Sequence, residues 1–171
     1  ETTSTAILDD IWINYENPLP EPEEPVRVPV IQAQPIHIET RDTSHRVVFP
    51  EFTGNIGRVI LELQISDLAG GYDPWDKGAA IYIWDDSVRY EICRFITPYN
   101  RGFTWYADVT DFLPLFRREK VIDLHVDTWM QKEKDPALQK GWTVDVNLDF
   151  YPGTSSRNPF LVQNIWNGFY E

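Results

Sequence analysis

Asp73 and Asp76 share one loop, with Pro74 and Trp75 between them and Gly70, Gly71 and Gly78 on either side. Glycine lets the backbone take positive φ at the ends of such a loop, while proline fixes φ in its middle. A loop flexible at its ends and stiff at its centre presents its side chains in one arrangement, so little ordering entropy remains to be lost on binding. A third carboxylate, Asp127, falls with Asp123 and His125 on the polar face of a strand whose apolar set is Ile122, Leu124 and Val126. If the loop overhangs the end of that strand, Asp76 and Asp127 converge. Neighbouring carboxylates raise one another's pKa, and one can then hold a proton while the other stays ionised, the division of labour that hydrolysis needs. Asp-Pro and Gly-Gly are also ordinary turn punctuation, and Asp123, Asp127, Asp145 and Asp149 equally suit an exposed, wetted sheet face. Spacing alone leaves both readings open.

Tryptophan is the second lead. Trp75, Trp84, Trp105, Trp129, Trp142 and Trp166 exceed what a core of this size must hold. Flat indole faces stack well on sugar rings, although core filling is expected to claim about half of them. Metal chemistry has less support. His37, His45 and His125 are dispersed without paired spacing, which argues against a zinc or copper site, and calcium through Asp67, Asp73 and Asp76 lacks an EF-hand pattern. No metal and no cofactor are expected. There is no Gly-x-Ser-x-Gly elbow, phosphate-binding glycine loop or dinucleotide fingerprint. The one cysteine, Cys93, leaves no internal disulfide or cysteine-rich zinc site, and between Ile92 and Arg94 it reads as a small buried hydrophobe.

The elements that must position these residues are strands. A length of 171 residues suits one domain with a real core, and a 14% aromatic share with a single Met suits pleated sheets better than helix bundles. The net charge of −12 repels phosphate backbones, so nucleic acid and anionic membrane surfaces are poor partners. No apolar run approaches the roughly 20 residues that span a bilayer, and no basic-then-apolar signal opens the chain, as expected if a signal peptide has been removed. Residues 1–25 carry Asp and Glu but no Lys or Arg, and Pro18, Pro20, Pro22 and Pro25 alternate with Glu21, Glu23 and Glu24. They read as an extended, self-repelling leader, with Ile11, Trp12 and Ile13 able to lie across a sheet and the whole suited to tethering a domain over 26–171 to an N-terminal membrane anchor.

Within that domain, 26–38 reads as an edge strand because Pro29 and Pro35 remove ladder donors. Further strands are expected over 45–52, 57–66, 79–84, 88–96, 103–109, 121–129, 142–150 and 160–169. A single helical turn over 111–116 is expected to be capped by Thr110. Short strands separated by turn signals, without helical periodicity, predict an all-β antiparallel β-sandwich of eight-stranded jelly-roll type.

Phe49-Pro50, Asp73-x-Trp75-Asp76, Ala79-x-Ile81-Tyr82-Ile83, Tyr90-Glu91-Ile92-x-Arg94-Phe95-Ile96-Thr97-Pro98-Tyr99, Asp108-Val109-Thr110-Asp111-Phe112, Asp127-Thr128-Trp129 and Val144-Asp145-Val146 follow in that order. Together they resemble the N-terminal domain of the peptide N-glycosidase F family. That family consists of secreted bacterial amidases that cleave the bond between an asparagine side chain and the first N-acetylglucosamine of an N-linked glycan. The resemblance implies a pair of jelly rolls with the active site at their junction, an N-linked glycan or glycoprotein as partner, and a secreted or cell-surface location. It gives Asp76 the role of binding the first sugar and activating the attacking water. Asp127 aligns with a glutamate of the family and is one methylene shorter. Lys77 replaces an arginine, keeping the charge and losing bidentate geometry. Asp73, Trp75, Lys77 and Trp129 are the implied substrate-binding set. The family's disulfide in the loop before Asp-x-Trp-Asp is missing here, and its second jelly roll would have to come from a further domain or a partner chain. The alternative is a non-catalytic module of the same fold that binds glycans or surface partners.

Overall fold

The computed structural model describes residues 4–8, 11–15, 24–155 and 159–164. In the leader, β1 (Ser4–Leu8) pairs antiparallel with β2 (Ile11–Tyr15), a pairing the leader's composition did not suggest. Eight further strands follow: β3 (Val26–Ile36), β4 (Asp42–Val48), β5 (Ile56–Asp67), β6 (Gly78–Asp85), β7 (Val88–Ile96), β8 (Phe103–Asp108), β9 (Glu119–Val126) and β10 (Trp142–Pro152). They form two four-stranded antiparallel sheets, ordered β3-β10-β5-β8 and β4-β9-β6-β7. The fold is therefore the expected all-β sandwich, an eight-stranded jelly roll. Among the described residues its helical content is confined to short 3₁₀ turns, the longest being Thr110–Leu115.

Period-2 alternation decides which side chains enter the core. On β10 the inward set Trp142, Val144, Val146, Leu148 and Phe150 is fully buried, and it faces Ile81, Ile83, Ile122 and Leu124 of the other sheet across one continuous cluster. At one end, Phe49 and Phe52 leave the expected strand over 45–52 and turn inward. Phe52 lies 4.6 Å and Phe116 5.8 Å from the Phe150 ring, and Phe49 is 5.5 Å from Phe116. β3 is an edge strand as its prolines require, and Ala33 takes a left-handed φ of 47° at its bulge, where its N–H donates to Asp145 Oδ1 at 2.8 Å.

Several expectations are corrected. β9 ends at Val126 rather than 129, because the Thr128 N–H donates back to the Val126 carbonyl at 2.7 Å and turns the chain. Thr110 does not cap the 3₁₀ turn; its hydroxyl accepts the Val59 N–H at 2.9 Å and donates to Asp108, so it ties the turn to β5. No strand forms over 160–164, where Phe160 and Leu161 are exposed without a partner strand, and 165–169 lie outside the described residues. Three of the four acids expected to wet the sheet faces are engaged. Asp149 is buried and takes a forked bond from Arg27, at 2.7 Å from Nε and 2.6 Å from Nη2. Asp123 accepts from Trp84 Nε1 at 2.6 Å and from Ser44 Oγ at 2.7 Å, and Asp145 holds the Ala33 bulge.

Truncating the fully buried Leu148 to Ala is expected to destabilise the domain by about 2–5 kcal/mol, measured by urea titration. His45 sits opposite Ile122, and burial holds its imidazole below the usual histidine pKa, outweighing the opposing pull of Asp123. The unfolded chain therefore binds this proton more readily, so the His45 term leaves stability unchanged above about pH 6.5 and lowers it as pH falls below that value. Urea midpoints compared between neutral pH and pH 5.5 should fall further for wild type than for His45→Gln.

Candidate functional site

The site is assembled where β6 begins, β9 ends and β7 ends. Ala79 pairs with Val126, so the residues just outside that pair, Lys77-Gly78 and Asp127-Thr128, run alongside one another. The Asp127 N–H donates to the Gly78 carbonyl at 2.9 Å, which extends the ladder one step past the strands. On the other flank the Lys77 N–H donates to Thr97 Oγ1 at 2.8 Å, and the Thr97 N–H returns to the Lys77 carbonyl at 2.9 Å. Asp76 thus stands one residue from a backbone clamped on both sides.

Asp73 ties this loop to the next. It is 1% exposed, and its Oδ1 accepts the Trp75 N–H at 3.0 Å in an Asx turn while its Oδ2 accepts the hydroxyl of the fully buried Thr128 at 3.1 Å. The Thr128 hydroxyl also accepts the Met130 N–H at 3.1 Å. A second tie lies outside the first. Gly70 donates to the Gln139 carbonyl at 2.8 Å, and Gly141 donates to the Gly71 carbonyl at 3.1 Å. The backbones approach so closely that a Cβ on residue 70 would stand 2.2 Å from the Leu138 carbonyl oxygen, so only glycine fits. Gln139 fastens the 131–140 loop from within, its amide donating to the Gln131 and Lys140 carbonyls and its oxygen accepting the Glu133 N–H.

On this base the loops present two acids and two indoles. Asp76 and Asp127 are exposed, and among the described residues neither carboxylate has a hydrogen-bond or ion-pair partner. Trp75 and Trp129 are 59% and 64% exposed. Trp75 meets the Tyr99 ring edge-on at 6.2 Å, and Lys77 Nζ sits 3.6 Å from the centroid of the Trp129 ring. That contact is a cation–π pair. The Lys77 side chain is otherwise buried, so it stiffens the indole and brings positive charge beneath it.

The sequence-derived set thus comes together at one rim, with one change of placement. Asp73 does not face solvent: one oxygen is taken up within its own loop and the other by Thr128 of the neighbouring loop, so it supports the site and is not presented to a ligand. Of the other tryptophans, Trp142 fills the core, Trp84 and Trp105 are half-buried, and Trp166 lies outside the described residues. Thr97, Thr128 and Gln139 were missed. The signal for Thr128 was its place between Asp127 and Trp129, where a hydroxyl can replace the ladder bond lost at the strand's end. The histidines take no part: His125 Nδ1 lies 2.6 Å from Asp42 Oδ1, and His37 Nδ1 accepts the Glu39 N–H at 3.2 Å. Cys93 is half-buried against the core, and burial pushes its thiol pKa up. Among the described residues no three His, Cys, Asp or Glu side chains are placed to hold a metal ion, and no helix is long and apolar enough to cross a membrane.

A jelly-roll sandwich with acids and indoles at one rim is the class of molecule described so far, and solved structures share its fold. The chain is similar to the crystal structure of a peptide-N(4)-(N-acetyl-β-D-glucosaminyl) asparagine amidase, with 23% identity and a TM-score of 0.63 over 77% of this chain and 43% of that one. Recombinant peptide:N-glycanase F gives 23% identity and a TM-score of 0.64, over 78% of this chain and 44% of that one. PNGase F of Flavobacterium meningosepticum, described as a glycosylasparaginase, gives 23% identity and 0.62 over the same shares. The chain spans less than half the length of these structures. The fold is thus the one that the motif resemblance implied. No protein-family model and no curated protein matches the chain.

Removing a buried carboxylate that holds two donors has a different consequence from changing an exposed, unpartnered one. Asp73→Ala is expected to destabilise the domain by about 1–3 kcal/mol and to speed amide exchange at Trp75. Asp76→Asn is expected to stay within about 0.5 kcal/mol of wild type in the same urea titration.

Proposed function

We propose that this chain is one half of an N-glycan amidase site, hydrolysing the bond between an asparagine side chain and the first N-acetylglucosamine. Water attacks the side-chain amide carbon, the C–N bond breaks, the glycan departs as a glycosylamine whose nitrogen takes up the proton removed from water, and the asparagine becomes aspartate. Asp76 binds the first sugar and takes the proton of the attacking water, and Asp127 assists from the neighbouring strand end. Trp75 and Trp129 stand beside the acids as surfaces for sugar rings, and Lys77 holds the Trp129 ring in place. The observation that supports this reading is the placement of two exposed, unpartnered carboxylates and two exposed indoles on neighbouring loops at one rim of a sandwich that shares its fold with PNGase F. A second jelly roll, from further chain or from a partner, would supply the other wall of the cleft and exclude water from it. A secreted or cell-surface bacterial setting, with the acidic leader as tether, belongs to the same reading.

A non-catalytic glycan-binding module is the second reading. It is favoured by the same two indoles, which form a sugar-stacking surface without needing a second acid.

Denatured N-glycoprotein incubated with the protein separates the two. Released glycan, together with Asn-to-Asp conversion seen by mass spectrometry, is the expected outcome for the amidase. Asp76→Asn should then reduce release about 10²–10⁴-fold, the range for loss of a general acid–base group, while Asp127→Asn should cost less. Release that persists in Asp76→Asn removes that residue from the mechanism. Chitobiose binding without release, weakened by Trp129→Ala, identifies the module.

A further inference from the structure

The largest cavity among those described is not at the rim of Asp76 and Asp127. It opens at the opposite end of the sandwich, where β9 begins, and holds about 760 Å³. The eight residues of β9 separate the two ends by about 25 Å at roughly 3.3 Å per residue. A volume of that size suits a small-molecule site. Its apolar side is formed by Phe52, Ile56, Leu113 and Phe116. Phe52 and Phe116 rest on the fully buried Phe150, so the surface offered to a ligand is backed by the rigid core.

Arg117 and Arg118 line the same cavity. In a chain with twenty-seven acidic and fifteen basic residues, neither has an ion pair among the described residues, although Glu51 also lines the space. Two consecutive arginines without ion-pair partners among the described residues bring positive charge to this cavity in an otherwise acidic protein. Arg118 also holds a left-handed φ of 60°, pinned by its carbonyl, which accepts the Phe49 N–H at 2.9 Å. A side chain in that conformation is strained, which glycine would avoid. A strained, unpaired arginine at the mouth of an aromatic-backed cavity is an arrangement that makes sense for ligand recognition.

We propose that this cavity binds small organic carboxylates, with an apolar ring or chain against Phe52, Ile56 and Leu113 and the carboxylate taken by Arg117 and Arg118. Planar guanidinium groups match a carboxylate's two oxygens, and the aromatic side accepts the rest of the molecule. The site is independent of the amidase reading and shares no residue with it.

The test uses 3-phenylpropionate as probe and the neutral 3-phenylpropanamide as control, titrated into the full chain and followed by ¹H–¹⁵N NMR. The acid should bind at least tenfold more tightly than the amide, moving the signals of Gly54 and Arg118 while leaving Trp75 and Trp129 in place. Arg118→Gly keeps the left-handed backbone without its strain, so it should melt no lower than wild type and yet bind the acid at least tenfold more weakly. Arg117→Gln should weaken binding in the same direction. Equal binding of acid and amide, unchanged affinity in Arg118→Gly, shifts confined to the Trp75–Trp129 rim, or no shift in the millimolar range would each overturn the proposal.

Discussion

A buried side-chain hydrogen bond joins the two loops that carry the candidate site: the Thr128 hydroxyl donating to Asp73. A carboxylate taken out of water is tolerated only where donors replace the lost hydration. Asp73 has such donors from both sides, the Trp75 N–H within its own loop and the Thr128 hydroxyl from the loop after β9. Satisfying the buried oxygens therefore fixes where each loop stands relative to the other. Asp76 lies one residue beyond Trp75, and Asp127 and Trp129 lie on either side of Thr128. Their positions are consequences of that contact, reinforced by the Asp127–Gly78 backbone bond and by the close crossing of Gly70 over Leu138.

How much of this was legible depends on the range of the forces involved. Strands whose inward residues are all large and apolar announce themselves, because a one-residue slip would expose every one of them. β5, β7 and β10 match their expected limits to within a residue or two. Strand ends are settled differently. β9 stops at Val126 because of a local turn and a bond to Gly78, nearly fifty residues away, and neither leaves a mark on the apolar pattern. The expected strand over 45–52 stops at Val48, and the rings of Phe49 and Phe52 beyond it pack against Phe150.

The candidate site was legible as residue types and not as roles. Asp73 and Asp76 look alike in sequence, each beside a proline or a tryptophan in a glycine-rich loop. One becomes a buried strut and the other stays in water. What separates them is Thr128, fifty-five residues further on, and no periodicity reaches that far. The outward acids of the strands divide in the same way: Asp123, Asp145 and Asp149 all satisfy local donors, and Asp127 is left over only because it falls past the end of its strand.

The openness of the rim places a physical demand on any hydrolysis carried out there. Two unit charges 4 Å apart interact by about 1 kcal/mol in bulk water and about 4 kcal/mol at the effective dielectric near a protein surface. The strength of any coupling between carboxylates at the rim therefore depends on how much water stays between them. Dividing them into an acid and a base requires a lower dielectric, which the indoles supply in part and a covering wall must complete. A stacked sugar would itself displace water from between Trp75 and Trp129, so binding and activation are coupled in the proposed site. A module that only binds has no such need and can leave its rim open. The same geometry thus serves both readings until something covers it, and catalysis depends on what closes over the acids as much as on the acids themselves.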